Sequence, residues 1–237
     1  MGSARETAVL TLAACEKQGA WSDGHLKRAI REQGLDRRDG ALCARLCYGV
    51  LQNKLLLDWR LGRVCSMGLE KLEPKVLCAL RVGAYQLLFL DKIPPSAAVN
   101  EAVELAKRHS RNPRAAGLVN GVLRALLRED APEVKGEDEL ETLSIRYSHP
   151  RWLVEEFDGL LGLEGGEALL AADNGQPPTT AQVNGLRAAP EELAWELREA
   201  GAEVQPHPWL EGCLLLTGTG DLERLAPFQR GEFYVQD

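Results

Sequence analysis

The chain has 237 residues with 28 basic and 35 acidic side chains and a net charge of −7, which is enough length for two modest domains, each with its own core. No apolar run approaches the roughly 18 to 20 residues that cross a bilayer, and the N-terminus lacks the basic start and apolar stretch of a secretory signal, so a soluble, cytoplasmic chain without a membrane partner is expected; a monomer is expected as well. The total hides a division: residues 1–128 carry 21 lysines and arginines against 12 acids, or +9, and residues 129–237 carry 7 against 23, or −16.

A basic first half inside an acidic protein points to an anionic partner, the alternative being charge that clusters on solvated faces. That half reads as helix throughout. Ser3 followed by Glu6 is a capping-box pattern, in which each side chain satisfies a backbone N–H at a helix start, and Ala8, Val9, Leu12 and Ala13 then mark one face. A second helix is expected over residues 25–33, stopped by Gly34 in the left-handed conformation. Asp36 suits the N-cap of a third, through residue 50, with Leu42, Cys43, Leu46 and Val50 inward. Asn53 is the expected cap of a fourth, through residue 64.

Pro74 fits the first turn of a fifth helix, over residues 73–90, because its missing N–H would be unsatisfied there in any residue. After Ile93-Pro94-Pro95, residues 96–109 carry a face of small side chains, Ala98, Val99, Ala102, Val103 and Ala106. The last helix of this half begins with Asn112 as cap and Pro113 as first residue and ends at 128, burying Leu118, Val119, Val122, Leu123, Leu126 and Leu127. About seven helices with short loops make an all-α domain over 1–128.

Residues 129–141 hold seven carboxylates in thirteen positions and read as a solvated acidic linker. Beyond it, in 142–237, residues 150–161 and 164–172 look like two helices, ended by Pro177-Pro178. Then come a strand at 179–183, a helix at 190–200, strands at 203–205 and 213–217, a short helix at 220–225 and a strand at 232–236. That βαββαβ order is the ferredoxin-like arrangement of many RNA-binding modules. The fold class is therefore mainly α followed by a smaller α+β domain. Stacking aromatics are not evident on the first and third strands, so base stacking on the sheet face is not expected.

Cys15, Cys43, Cys47, Cys65, Cys78 and Cys213 lie at irregular spacings beside Leu, Ala and Val and contain no Cys-x-x-Cys, so buried reduced thiols are expected and a metal site is not. Two basic sets are the candidate binding residues. Lys107, Arg108, His109, Arg111 and Arg114 share a helix-to-helix corner where several cations and free N–H groups suit phosphate. Arg5, Lys27, Arg28, Arg31, Arg37 and Arg38 form the second set. Helix-dipole complementarity and ordinary solvation are the competing roles. Asn100 and Asn120 fit RNA contact or a helix-to-helix hydrogen bond, the latter favoured. His149 suits capping or packing, and Trp152 an anchor between helix and linker.

Tyr48-Gly49-Val50-Leu51, Leu80-Arg81-Val82-Gly83-Ala84-Tyr85-Gln86-Leu87-Leu88, Ile93-Pro94-Pro95-Ser96-Ala97-Ala98-Val99-Asn100-Glu101-Ala102-Val103 and Gly117-Leu118-Val119-Asn120-Gly121-Val122-Leu123-Arg124 resemble the NusB-like helical domain in order and spacing. Tyr147-Ser148-His149-Pro150-Arg151-Trp152-Leu153-Val154, Val183-Asn184 and Gly231-Glu232-Phe233-Tyr234-Val235-Gln236-Asp237 join them in a pattern similar to the non-catalytic N-terminal region of bacterial 16S ribosomal RNA cytosine methyltransferases of the Sun family, also called Fmu. The resemblance implies binding to small-subunit ribosomal RNA, and within the two basic sets Arg5, Lys27, Arg28, Arg31, Lys107, Arg108, Arg111 and Arg114 are the candidate contacts.

The resemblance also implies that family members continue into an S-adenosylmethionine-binding catalytic domain, so neither catalytic nor cofactor-binding residues are expected in these 237. Gly218-Thr219-Gly220 reads as a turn rather than a nucleotide-binding loop. Attack on a cytosine ring requires a thiolate, and Cys213, among Leu214, Leu215 and Leu216, reads as a structural thiol. Two positions depart from the family pattern: Ala181-Gln182-Val183-Asn184 stands where members commonly show Leu-Arg-Val-Asn, and Gln52 replaces a frequent arginine. A NusB-type transcription antitermination factor is the runner-up, with a protein-interaction scaffold behind it.

Overall fold

The computed structural model describes residues 3–18, 22–175, 178–220 and 222–236. Pro177, Asp221 and Asp237, each part of an expected feature, lie outside the described residues. Helix α1 (Ala4–Gln18) starts where Ser3 Oγ accepts from the Glu6 N–H at 3.2 Å. The reciprocal half of the expected capping box is replaced: the Glu6 carboxylate instead takes Arg108 and His109, each at 2.8 Å. Helix α2 spans Ser22–Glu32 and is followed by Gly34 at φ 60°. Asp36 caps α3 (Arg37–Gln52) through the Asp39 N–H at 2.8 Å, as its position three residues upstream dictates.

Helix α4 (Lys54–Val64) differs at its start. Asn53 gives no side-chain cap; its amide turns back to the Gly49 carbonyl at 2.9 Å, closing α3. The cap comes from Ser148, whose Oγ accepts from the Leu55 N–H at 2.7 Å across 93 positions of sequence. Helix α5 (Pro74–Phe89) is the axis of the unit, buried continuously from Cys78 to Gln86 and packed by α1, α3, α4, α6 and α7. Small residues permit this crowding. A Cβ on Gly83 would sit 2.7 Å from the Leu123 side chain, and one on Gly49 would sit 2.0 Å from the Tyr85 ring.

Helices α6 (Pro95–His109) and α7 (Ala115–Arg128) complete the layer around α5. Helix α7 begins two residues later than the Asn112 cap predicts, because Asn112 Oδ1 accepts from the Arg114 N–H at 2.9 Å and closes a local turn instead. Leu127, expected in the core, is 44% exposed. Asn100 is exposed, and Asn120 bonds Arg124 of its own helix at 2.8 Å, so neither ties two helices together.

The acidic stretch is irregular from 129 to 138, and Glu139–Tyr147 then forms helix α8, capped by Asp138 through the Glu141 N–H. Carboxylates in a first helical turn are favourable to the dipole, which is why a run read as linker folds. Helix α9 (Arg151–Asp173) breaks at Gly162, φ 71° and ψ 168°, giving two helical halves on either side. Leu143, Val154 and Leu170 form a small core there, and α8 packs on α4. Gln52 donates to the Asn174 carbonyl at 3.1 Å, and Asn174 donates to the Tyr147 carbonyl at 2.7 Å. Trp152, read as an anchor, is 64% exposed.

Two compact units result, residues 1–174 and 175–237, so α8 and α9 fold with the first seven helices. The division in charge at 128 and the division in folding at 174 do not coincide. In the second unit four antiparallel strands, β1 (Thr179–Val183), β2 (Glu203–Pro206), β3 (Cys213–Thr217) and β4 (Phe233–Val235), lie in the order β2-β3-β1-β4. Thr179 faces Leu216 and Gln182 faces Cys213 across the central pair. Helix α10 (Pro190–Glu199) covers one face with Leu193, Ala194 and Leu197 against Ala181, Val183, Leu214, Leu216 and Phe233. The second crossover is reduced to a 3-10 turn, Leu222–Arg224, and the four-residue α11 (Ala226–Gln229).

Candidate nucleic-acid interface

The two expected basic sets separate by what each side chain already touches. Arg5 Nε donates to Gln86 Oε1 at 2.7 Å, and Gln86 in turn donates to the Val82 carbonyl, so this arginine is drawn onto the buried surface of α5. Arg108 and His109 close on Glu6, which ties the end of α6 to the start of α1. Burial pushes the Glu6 carboxyl up, but hydrogen bonds and charge from Arg108 and His109 outweigh it and hold the group below its usual value.

The other candidates are freer. Lys27 pairs with Asp23 at 3.2 Å one turn away, and Lys107 lies 3.8 Å from Glu104; all four side chains are more than half exposed. Such exposed pairs contribute little to stability and are easily exchanged. Arg28, Arg31, Arg111 and Arg114 are exposed and form no ion pair among the described residues. Arg37 and Arg38 are exposed in the first turn of α3, where positive charge opposes the helix dipole.

The α6–α7 corner is held in shape by Glu73, which accepts from Ser110 Oγ at 2.7 Å and from the Arg111 N–H at 3.2 Å. The Ser110 bond, then the backbone bond of Arg111, hold the Glu73 carboxyl below its usual value. The backbone is thus fixed while the Arg111 and Arg114 side chains remain exposed. Lys17 and Lys75, which sequence spacing does not flag, line the same groove as Arg111. They come from different helices, and no local pattern places them together.

One further arginine has the opposite surroundings. Arg81, 5% exposed in the middle of α5, forms a bidentate pair with Asp58 at 2.6 and 2.7 Å and also bonds Glu16, which Lys54 meets at 3.0 Å. Burial alone would lower its pKa, but Asp58 and Glu16 raise it. This cluster binds α1, α4 and α5 together and offers nothing to a ligand.

The turn at Gly218 and Gly220 does not fit a nucleotide-type cofactor. Gly218 and Gly220, at φ 71° and 66°, follow β3 but lead into a 3-10 turn, without the helix N-terminus that would cradle phosphates. Cys213 is buried, and its thiol donates to Gln182 Oε1 at 3.0 Å. Among the described residues no cluster of three or more His, Cys, Asp or Glu could hold a metal ion, and no helix is long and apolar enough to cross a membrane. His149 Nδ1 lies 2.8 Å from the Tyr147 carbonyl in the turn that presents Ser148, a packing position.

Residues 2–128 match the model of the NusB family, and residues 149–223 match that of the RsmF/B-like methyltransferase ferredoxin-like domain. The chain is 36% identical over 99% of its length to a probable ribosomal RNA small subunit methyltransferase B of Bacillus subtilis, covering 52% of that protein. A probable methyltransferase of the same description from Synechocystis is 32% identical, with 53% of its length covered. The chain therefore spans about half the length of these curated relatives. Among solved structures, that of PH0851 matches all of the chain and 53% of its own with a TM-score of 0.69 at 22% identity, a likeness of fold. NusB of T. maritima matches 54% of the chain and 91% of its own with a TM-score of 0.50 at 26% identity.

Proposed function

The chain belongs to the NusB family, and since an RsmF/B-like ferredoxin-like domain follows that match, we propose that it is the RNA-recognition region of an S-adenosylmethionine-dependent methyltransferase acting on cytosine carbon 5 of 16S ribosomal RNA. The observation that carries this reading is the 36% identity to the Bacillus subtilis protein across 99% of the chain, through both domains in one order. S-adenosylmethionine supplies the methyl group in a reaction of this class, and the groups described here contribute binding alone.

In this reading the exposed cations Arg28, Arg31, Arg111 and Arg114 meet phosphates directly, each contact releasing counterions from the strand. Lys27 and Lys107 join them by exchanging weak intrahelical partners for phosphate. Arg5 and Arg108 act mainly by holding α1 against α5 and α6. A stand-alone antitermination factor of the NusB type would account for the first 128 residues and leave the ferredoxin-like unit without a role.

Two measurements on the 237-residue chain test the reading together. Fluorescence anisotropy with a single-stranded fragment of 16S ribosomal RNA should show saturable, salt-sensitive binding. Single-turnover incubation of the same RNA with labelled S-adenosylmethionine should show methyl transfer no faster than background. Transfer above background, or no RNA binding at low salt, contradicts it.

A further inference from the structure

We propose that the groove between α1 and the entry to α5 is a path for an RNA strand, with Lys17, Lys75 and Arg111 as its phosphate contacts; this rests on the reading of the chain as an RNA-recognition region. The groove encloses about 560 Å³, and its walls include Leu10, Ala13 and Lys17 of α1, Glu73 and Lys75 at the start of α5, and Arg111 of the α6–α7 corner. Three elements far apart in sequence therefore each bring one cation to the same cleft.

All three cations are exposed, and none forms an ion pair among the described residues. The acidic member of the groove, Glu73, is occupied: Ser110 Oγ and the Arg111 N–H both donate to it, so its carboxylate fixes the corner that carries Arg111. His109 also faces the groove, with its Nε2 2.8 Å from Glu6. Leu10, Ala13 and Ala14 make part of the lining apolar. A lining that combines cations with apolar side chains suits a polymer whose phosphates alternate with sugar and base faces. Such a path adds contacts from α1 and α5 to a corner that otherwise presents a single helix junction.

The test is the salt dependence of binding to a fluorescein-labelled single-stranded 16S ribosomal RNA fragment, compared between wild type and the triple variant Lys17→Gln, Lys75→Gln, Arg111→Gln, with Lys92→Gln as a surface control. Each phosphate contact contributes about 0.7 to the slope of log affinity against log salt for a single strand, so the triple variant should lose about 2 from the slope and the control nothing. An unchanged slope in the triple variant, with wild type binding normally, overturns the groove assignment together with the direct contact by Arg111, and leaves the broader RNA reading, carried by the remaining cations, standing. Failure of wild type to bind RNA overturns both. Binding of poly-glutamate that the triple variant abolishes, with the RNA slope unaltered, reassigns the groove to an acidic protein partner and overturns it.

Discussion

Arg81 and Arg111 are the same residue type, 30 positions apart, and their surroundings are opposite. Arg81 sits at the centre of α5 with Asp58 and Glu16 around its guanidinium, and Arg111 stands at the α6–α7 corner with its backbone held by Glu73 and its side chain exposed and outside any ion pair among the described residues. The first cation is consumed in holding three helices together; the second is available to a partner. A net count of +9 over residues 1–128 adds the two kinds together, and only the geometry separates them.

The largest expected effect comes from the consumed kind. Arg81→Met leaves the Asp58 and Glu16 carboxylates without their buried partner and should cost about 3 to 5 kcal/mol in urea denaturation. Its RNA salt slope, measured where the variant is folded, should equal that of wild type; a lower slope would mean that Arg81 is not purely structural. Gly49→Ala drives a methyl group into the Tyr85 ring and should cost about 1 to 3 kcal/mol by the same measurement, unless α3 can move away from α5. Ser148→Ala removes the cap on α4 at a cost of about 1 kcal/mol, with faster hydrogen exchange confined to the first turn of that helix as the distinguishing sign.

Glu6 sharpens the boundary between the two kinds, since it ties Arg108 and His109 to the frame. Its folded pKa lies below the ordinary value of 4.5, so its contribution is present above pH 4.5 and is lost as pH falls through the folded pKa. Glu6→Gln should therefore lower stability at neutral pH by about 1 kcal/mol or less, because Arg108 is largely exposed, and the gap from wild type should close as the pH drops below 4.5. A gap that persists in acid would show that packing, rather than charge, is what the substitution disturbs.

Much of this frame was legible in the sequence where the controlling interaction is local. Asp36 caps α3, Pro74 opens α5 and Gly34 follows α2, each through bonds or dihedrals within a few residues. The seven-helix reading of the first half and the strand–helix order of the second rest on periodicity of the same short range, and both are found. What was not legible depends on distant partners. Ser148 caps a helix 93 positions earlier, and the Glu6 carboxylate bridges 102 positions to Arg108 rather than completing its own capping box. Helix α8 was hidden because a carboxylate-rich stretch reads as linker until Asp138 is seen to cap it. Of the proposed interface, the basic corner is visible in the sequence as a run of cations, whereas Lys17 and Lys75 join Arg111 in one groove only once α1 is packed on α5.

The smallest effect on stability and the most direct test of the whole account come from two matched variants: Arg28→Gln, Arg31→Gln and Arg114→Gln together, which removes unpaired cations, and Arg5→Gln with Arg108→Gln, which removes engaged ones. Both are titrated with the same single-stranded 16S ribosomal RNA fragment between about 50 and 300 mM salt, a range over which phosphate contacts dominate the slope. The first should keep wild-type stability within about 0.5 kcal/mol and lose about 2 from the slope, at about 0.7 per contact, and the second should lose stability with little change in slope. Equal loss of slope in the two variants, or none in the first, would contradict the claim that the cations left unpaired by the fold are the ones that bind RNA.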